Sequence, residues 1–135
     1  MKYVLDTNVL IACVSRKSEH YWIWQALVNQ EFTLCVTTDI LAEYEEILSD
    51  FYSPAFAKYI MEIIDEMQNV QFVNKYYFWR LITIDPDDNK FVDCAVACNA
   101  KCIVSEDKHF KVLKKINYPK VVTLKIAEFK ILMKK

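Results

Sequence analysis

Two short apolar runs, Tyr3-Val4-Leu5 and Cys102-Ile103-Val104, do not alternate with polar residues. A strand that is apolar on both sides needs cover on both faces, a condition met when helices flank a parallel sheet. The intervening segments supply such helices. A first strand is predicted over about 2–6, then helices over about 8–16 and 19–30, and a strand FTLCVT at 32–37. A helix from Thr38 or Asp39 to about Ser49 and another over about 54–68 follow. The run YYFWRLITI is rich in β-formers and fits either an edge strand or an irregular segment. Asp85-Pro86-Asp87-Asp88 stops the chain and opens a helix over about 89–99. CIVS at 102–105 reads as a short strand, 108–116 as a lysine-rich helix, VVTL at 121–124 as a last strand and 126–133 as a last helix. This alternation predicts an α/β domain with a mainly parallel sheet.

With 135 residues, 54% of them hydrophobic, the chain is long enough for one sizeable core and short for two, so a single domain over 1–135 is expected. There is no glycine, so turns are expected to use Asn, Asp and Ser. No basic-then-apolar leader opens the chain and no apolar run approaches the ~18 residues of a membrane span. The expected setting is the cytoplasm, without a membrane partner. Cys94, Cys98 and Cys102 form a CxxxCxxxC pattern. Paired CxxC spacings are missing, and cysteines inside VDCAVACNA read as small buried hydrophobes rather than metal ligands.

The net charge of -1 gives no general attraction to polyanions. From Lys101 onward, however, ten lysines stand against Glu106, Asp107 and Glu128, a balance of +7 that leaves -8 for the first hundred residues. Such a basic third could hold a nucleic-acid backbone beside an acidic pocket, or simply form a solvated face.

The acids are the next constraint. In YVLDTNVLIA the first strand ends in Asp6. A buried carboxylate needs a cation or hydrogen-bond donors, and taken alone Asp6 reads as a cap for the helix that follows. In parallel sheets ligands bind beyond the carboxyl ends of the strands, where strand order reverses. Asp6 and Asp107 both lie at such ends. On the helix near 38–49, Ile40, Leu41, Tyr44, Ile47 and Leu48 form the apolar stripe. Glu43 and Glu45 flank it on opposite sides, and pattern alone does not choose between them. On the helix after Pro86, the phase of Phe91, Val92, Ala95 and Cys98 turns Asp88 inward and Asp93 roughly opposite.

YVLDTNVLIA, LAEYEEIL, DPDDNKFVDCAVA and IVSEDKHF, taken together and in this order, resemble the PIN domain, in its branch of toxins from toxin–antitoxin pairs. The resemblance implies a three-layer fold with a central parallel sheet of four or five strands flanked by helices, and an acidic, metal-dependent ribonuclease site. Position by position, it places the catalytic and metal-binding acids at Asp6, Glu43, Asp88 and Asp107, favouring Glu43 over Glu45. Asn8 and Ser105 match supporting polar positions. Ser105 stands where many relatives have Thr, and His109 where many have a further Asp. Asp93 could replace Asp88 only in a shifted alignment that helix phase disfavours.

Converging carboxylates about 4 Å apart repel by on the order of 4 kcal/mol per pair at an effective dielectric near 20. Hard divalent ions, Mg²⁺ or Mn²⁺, answer that need, and metal-free protein is expected to hold strained or partly protonated acids. The implied activity is hydrolysis of RNA, with backbone contacts along Lys108, Lys111, Lys114 and Lys115. Other partners implied are a small antitoxin protein and a second copy of the chain. His20 and His109 are expected at the surface, and Tyr21, Trp22 and Trp24 in packing rather than stacked on bases. A dehalogenase-type phosphatase would want Asp where this chain has Asn8, and a receiver domain an acidic pair that is missing. The remaining rival is a PIN-like scaffold that binds RNA or protein without cutting.

Overall fold

A computed structural model describes residues 1–74, 78–83 and 85–135. Five parallel strands, β1 (Lys2–Leu5), β2 (Thr33–Val36), β3 (Val70–Phe72), β4 (Cys102–Val104) and β5 (Thr123–Leu124), form one sheet in the order β3-β2-β1-β4-β5. Helices α1 (Thr7–Cys13), α2 (Tyr21–Val28), α3 (Thr38–Phe51), α4 (Pro54–Glu66), α5 (Asn89–Cys98) and α6 (Ile126–Leu132) flank it. Tyr3, Val4 and Leu5 are buried, as are all three residues of β4. Burial of each such large apolar side chain contributes about 1.5–3 kcal/mol. Tyr3 packs edge-on against Phe32 and Phe129, and Trp22 lies against Phe129. Trp24 is buried, so these aromatics serve packing as expected. All five cysteines are free and buried.

Strand order reverses beside β1. The chain first builds outward through β2 to β3, then returns to place β4 and β5 on the other side. Register pairs Leu5 with Val104, so the next residues, Asp6 and Ser105, emerge side by side at the carboxyl edge. Because α5 leads into the start of parallel β4, its own N-terminus returns to that same edge. Tyr44 of α3 donates its buried hydroxyl to the Leu5 carbonyl and ties α3 to the end of β1.

Two local expectations need correction, and one that the pattern left open is decided. The strand in the middle of the chain is β3, ahead of the aromatic run. Residues 78–83 of YYFWRLITI form no strand, while Tyr76, Tyr77 and Ile84 of that run lie outside the described residues. The lysine-rich segment is a 3-10 helix, Lys108–Lys115. Phe110, Leu113 and Ile116 turn inward at a spacing of three, which suits three residues per turn better than 3.6. The turns also draw on more residue types than Asn, Asp and Ser. Without glycine, Gln30, Arg80 and Lys134 join Asn99 at positive φ, each at a steric cost that glycine would avoid. Among the described residues no helix is long and apolar enough to cross a membrane.

Candidate functional site

Asp6 occupies the N-cap position of α1, yet its side chain makes no capping bond. Its carboxylate is buried and instead accepts a 2.7 Å hydrogen bond from Ser105 Oγ. Ser105 Oγ in turn accepts the Asp107 N–H at 2.9 Å, and Asp107 Oδ1 accepts the His109 N–H at 2.9 Å. This chain of bonds fixes the carboxylates that end β1 and follow β4 relative to each other.

Asp88 closes a short 3-10 turn, Pro86–Asp88, that leads into α5. His109 Nδ1 lies 3.4 Å from Asp88 Oδ2 and 3.4 Å from Asp107 Oδ1. One ligand atom each from Asp85, Asp88 and His109 fall within 4.8 Å of one another. Burial, then the charges of Asp85, Asp107 and Asp6, push Asp88 up to about 6, against the pull of His109. Burial likewise raises Asp6, opposed by hydrogen bonds from Ser105 and Thr7 and reinforced by Asp107 and Glu43. Burial is the leading cause of both shifts, and the neighbouring carboxylates add to it.

Glu43 projects from α3 toward the same edge. Thr7 Oγ1 donates to its Oε2, and Lys90 Nζ pairs with its Oε1. Glu45 is exposed on the far side of α3, where it lines a pocket of about 350 Å³ with Leu41, Met61 and Phe72. Of the two flanking acids, Glu43 is the one that lies beside Thr7 and Lys90 at this edge.

The structure therefore brings Asp6, Glu43, Asp88 and Asp107 to one edge, with Ser105 linking two of them. It does not bring Asn8, which is exposed on α1 and, among the described residues, has no side-chain bond to the acids. Thr7, one residue earlier and buried, makes the contact instead. Asp93 is buried and accepts the Trp79 N–H at 3.1 Å, so it fastens α5 to the preceding segment. His109 is only partly exposed and faces the acids, contrary to the expected surface position. Asp85 and Lys90 were also missed. Asp85 could have been found from its place three residues before Asp88, the spacing that returns to one side of a 3-10 turn. Lys108, Lys111 and Lys114 border a small cleft beside Ser105 and Asp107, while Lys115 is exposed outside that lining.

The donor set fits a hard divalent cation. It is dominated by carboxylate oxygens, and among the described residues no lysine or arginine pairs with Asp6, Asp88 or Asp107. Lys90, a neighbouring ammonium, is committed to Glu43 and Asp87.

The profile of the PIN domain matches residues 2–109. Among curated proteins none matches the chain. Among solved structures, the chain is similar to a chain in the crystal structure of VapBC2 from Rickettsia felis bound to a DNA fragment from their promoter. The TM-score is 0.65 at 19% identity, over 93% of this chain and 98% of that one. At that identity the likeness speaks to the fold.

Proposed function

The chain belongs to the PIN domain family, and from that premise we propose that it is a metal-dependent ribonuclease, the toxin of a toxin–antitoxin pair. The observation that carries the reading is the group Asp6, Asp88 and Asp107, gathered where strand order reverses and without a lysine or arginine partner among the described residues. A Mg²⁺ or Mn²⁺ ion bound there would supply charge stabilisation for the phosphodiester and lower the pKa of a water at neutral pH.

The chain's own residues prepare that site. Ser105 holds Asp6 through Oδ2 and so fixes the orientation of that carboxylate. The Asp107 and His109 N–H groups set the orientation of the second acid relative to the first. Asp88 closes the site from α5, with Asp85 and His109 beside it as additional donors. Glu43 borders the group, with its two oxygens on Thr7 and Lys90. Lys108, Lys111 and Lys114 offer an exposed path for an RNA backbone next to Asp107. The partner role rests on the family resemblance and on the fold shared with a VapBC2 chain, and an antitoxin would be a small protein that covers this edge.

Cleavage of a fluorescent single-stranded RNA in Mn²⁺ tests the activity. Wild type is expected to cut, and Asp6→Asn and Asp107→Asn are each expected to lose at least about a hundredfold in rate. Equal cleavage by all three would sink the metal-nuclease assignment. RNA binding without any cutting by wild type would favour the scaffold reading.

A further inference from the structure

Lys90 is the least expected side chain at this edge. It stands in the first turn of α5, only 12% exposed at its side chain, with Nζ on Glu43 Oε1 and 2.9 Å from Asp87 Oδ1. Its ammonium also lies 5.7 Å from the centroid of the Phe91 ring. Thr7 occupies the other oxygen of Glu43. Both oxygens of Glu43 are thus engaged by donors of this chain, one of them a full positive charge. The other acids differ in kind: Asp6 accepts from the Ser105 hydroxyl, Asp88 and Asp107 lie beside His109, and among the described residues none of the three pairs with a lysine or arginine.

We propose that Lys90 is a built-in countercation that neutralises Glu43 and limits the site to one divalent ion, held by Asp6, Asp88 and Asp107. The inference rests on the metal-nuclease reading and deepens it. A second ion beside Glu43 would have to expel Lys90 or sit against it, and a monovalent and a divalent cation at contact distance repel strongly in a partly buried site. Lys90 Nζ has a carboxylate partner on each side, Glu43 and Asp87, an arrangement that favours the ammonium form. Glu43 becomes a positioning carboxylate, held rigid by Thr7 and Lys90, rather than a ligand.

The test counts Mn²⁺ on the full chain after chelator stripping, by calorimetry and by electron paramagnetic resonance. Wild type is expected to bind one Mn²⁺. Lys90→Gln is expected to gain a second, with an affinity roughly tenfold or more above any second binding to wild type, whereas Lys90→Arg keeps one. Metal-free Lys90→Gln should melt below metal-free wild type and recover more on adding Mn²⁺. Glu43→Gln, which keeps the shape and a bond to Thr7, should still bind one ion within about threefold of wild type. This variant serves if Lys90→Gln does not fold. Two ions on wild type, unchanged binding by Lys90→Gln, or a loss beyond about tenfold in Glu43→Gln would each overturn the inference while leaving the metal site standing. No Mn²⁺ on any of the proteins would overturn both.

Discussion

Asp88 carries a measurable signature of the acids around it. An aspartate at the start of a helix is ordinarily favoured as an anion, but here burial, Asp85, Asp107 and Asp6 push it from 3.8 up to about 6. Between these values the folded state keeps a proton that the unfolded state has released. Stability from this group is therefore fully present below about pH 4 and is lost as pH rises through about 6. In metal-free protein, Asp88→Asn should remove that fall and leave the variant more stable than wild type at pH 7.5, read from urea midpoints at a series of pH values. Parallel pH profiles for the two proteins would refute the charge cluster. Legibility at this scale followed geometry. Asp6 and Asp107 were readable because strand ends are fixed by the apolar runs before them, and Asp88 because Phe91, Val92, Ala95 and Cys98 set its phase. Thr7 in place of Asn8, and the inward turn of His109 and Lys90, depend on where α3, α5 and the 3-10 helix meet, which no local pattern encodes.

Among the elements, α5 is covered on two sides, and the second cover is the segment whose pattern left strand and irregular course both open. Residues 78–83 carry strand-forming side chains, yet the backbone groups of Trp79 and Ile82 bond side chains of α5 instead of a ladder. Asn89 accepts the Ile82 N–H at 2.9 Å and donates to the Ile82 carbonyl at 2.8 Å, and Asp93 accepts the Trp79 N–H. Ile82 is buried beneath this clamp. The segment's apolar content thus reports burial, which strand and irregular cover share. Three-residue β3, with one buried side chain and an exposed Phe72 at the sheet edge, is too short for a periodic signal. Asn89→Ala would strand two buried backbone groups, each costing about 1–3 kcal/mol, so a loss of roughly 2–6 kcal/mol in unfolding free energy is expected from urea titration. A loss below about 0.5 kcal/mol, the level of a neutral surface change, would show that the clamp does not hold α5.

Across the whole molecule, parallel order was legible because strands that are apolar on both faces alternate with helical segments, and the reversal beside β1 then concentrates acids at one edge. The charge asymmetry along the chain was legible as well, but its spatial use was not: ten lysines after residue 100 divide between a cleft beside Asp107 and surfaces elsewhere. Lys108, Lys111 and Lys114 belong to the cleft, whereas Lys134 and Lys135 close the chain after α6, with Lys135 paired to Glu31. If RNA runs past Asp107, the cleft lysines release counterions on binding and the terminal pair does not. In an Asp6→Asn background, which separates binding from cutting, the affinity for a single-stranded RNA should fall with log salt concentration. Replacing Lys108, Lys111 and Lys114 together by Gln should flatten that dependence by about 2 units of slope, since each contact on a single strand contributes about 0.7. Lys134→Gln with Lys135→Gln should leave the slope unchanged. A triple variant with the parental slope would move the RNA path off this face, and an equal flattening by the terminal pair would mean that the chain's positive charge acts as a diffuse field rather than as a track leading to the acids.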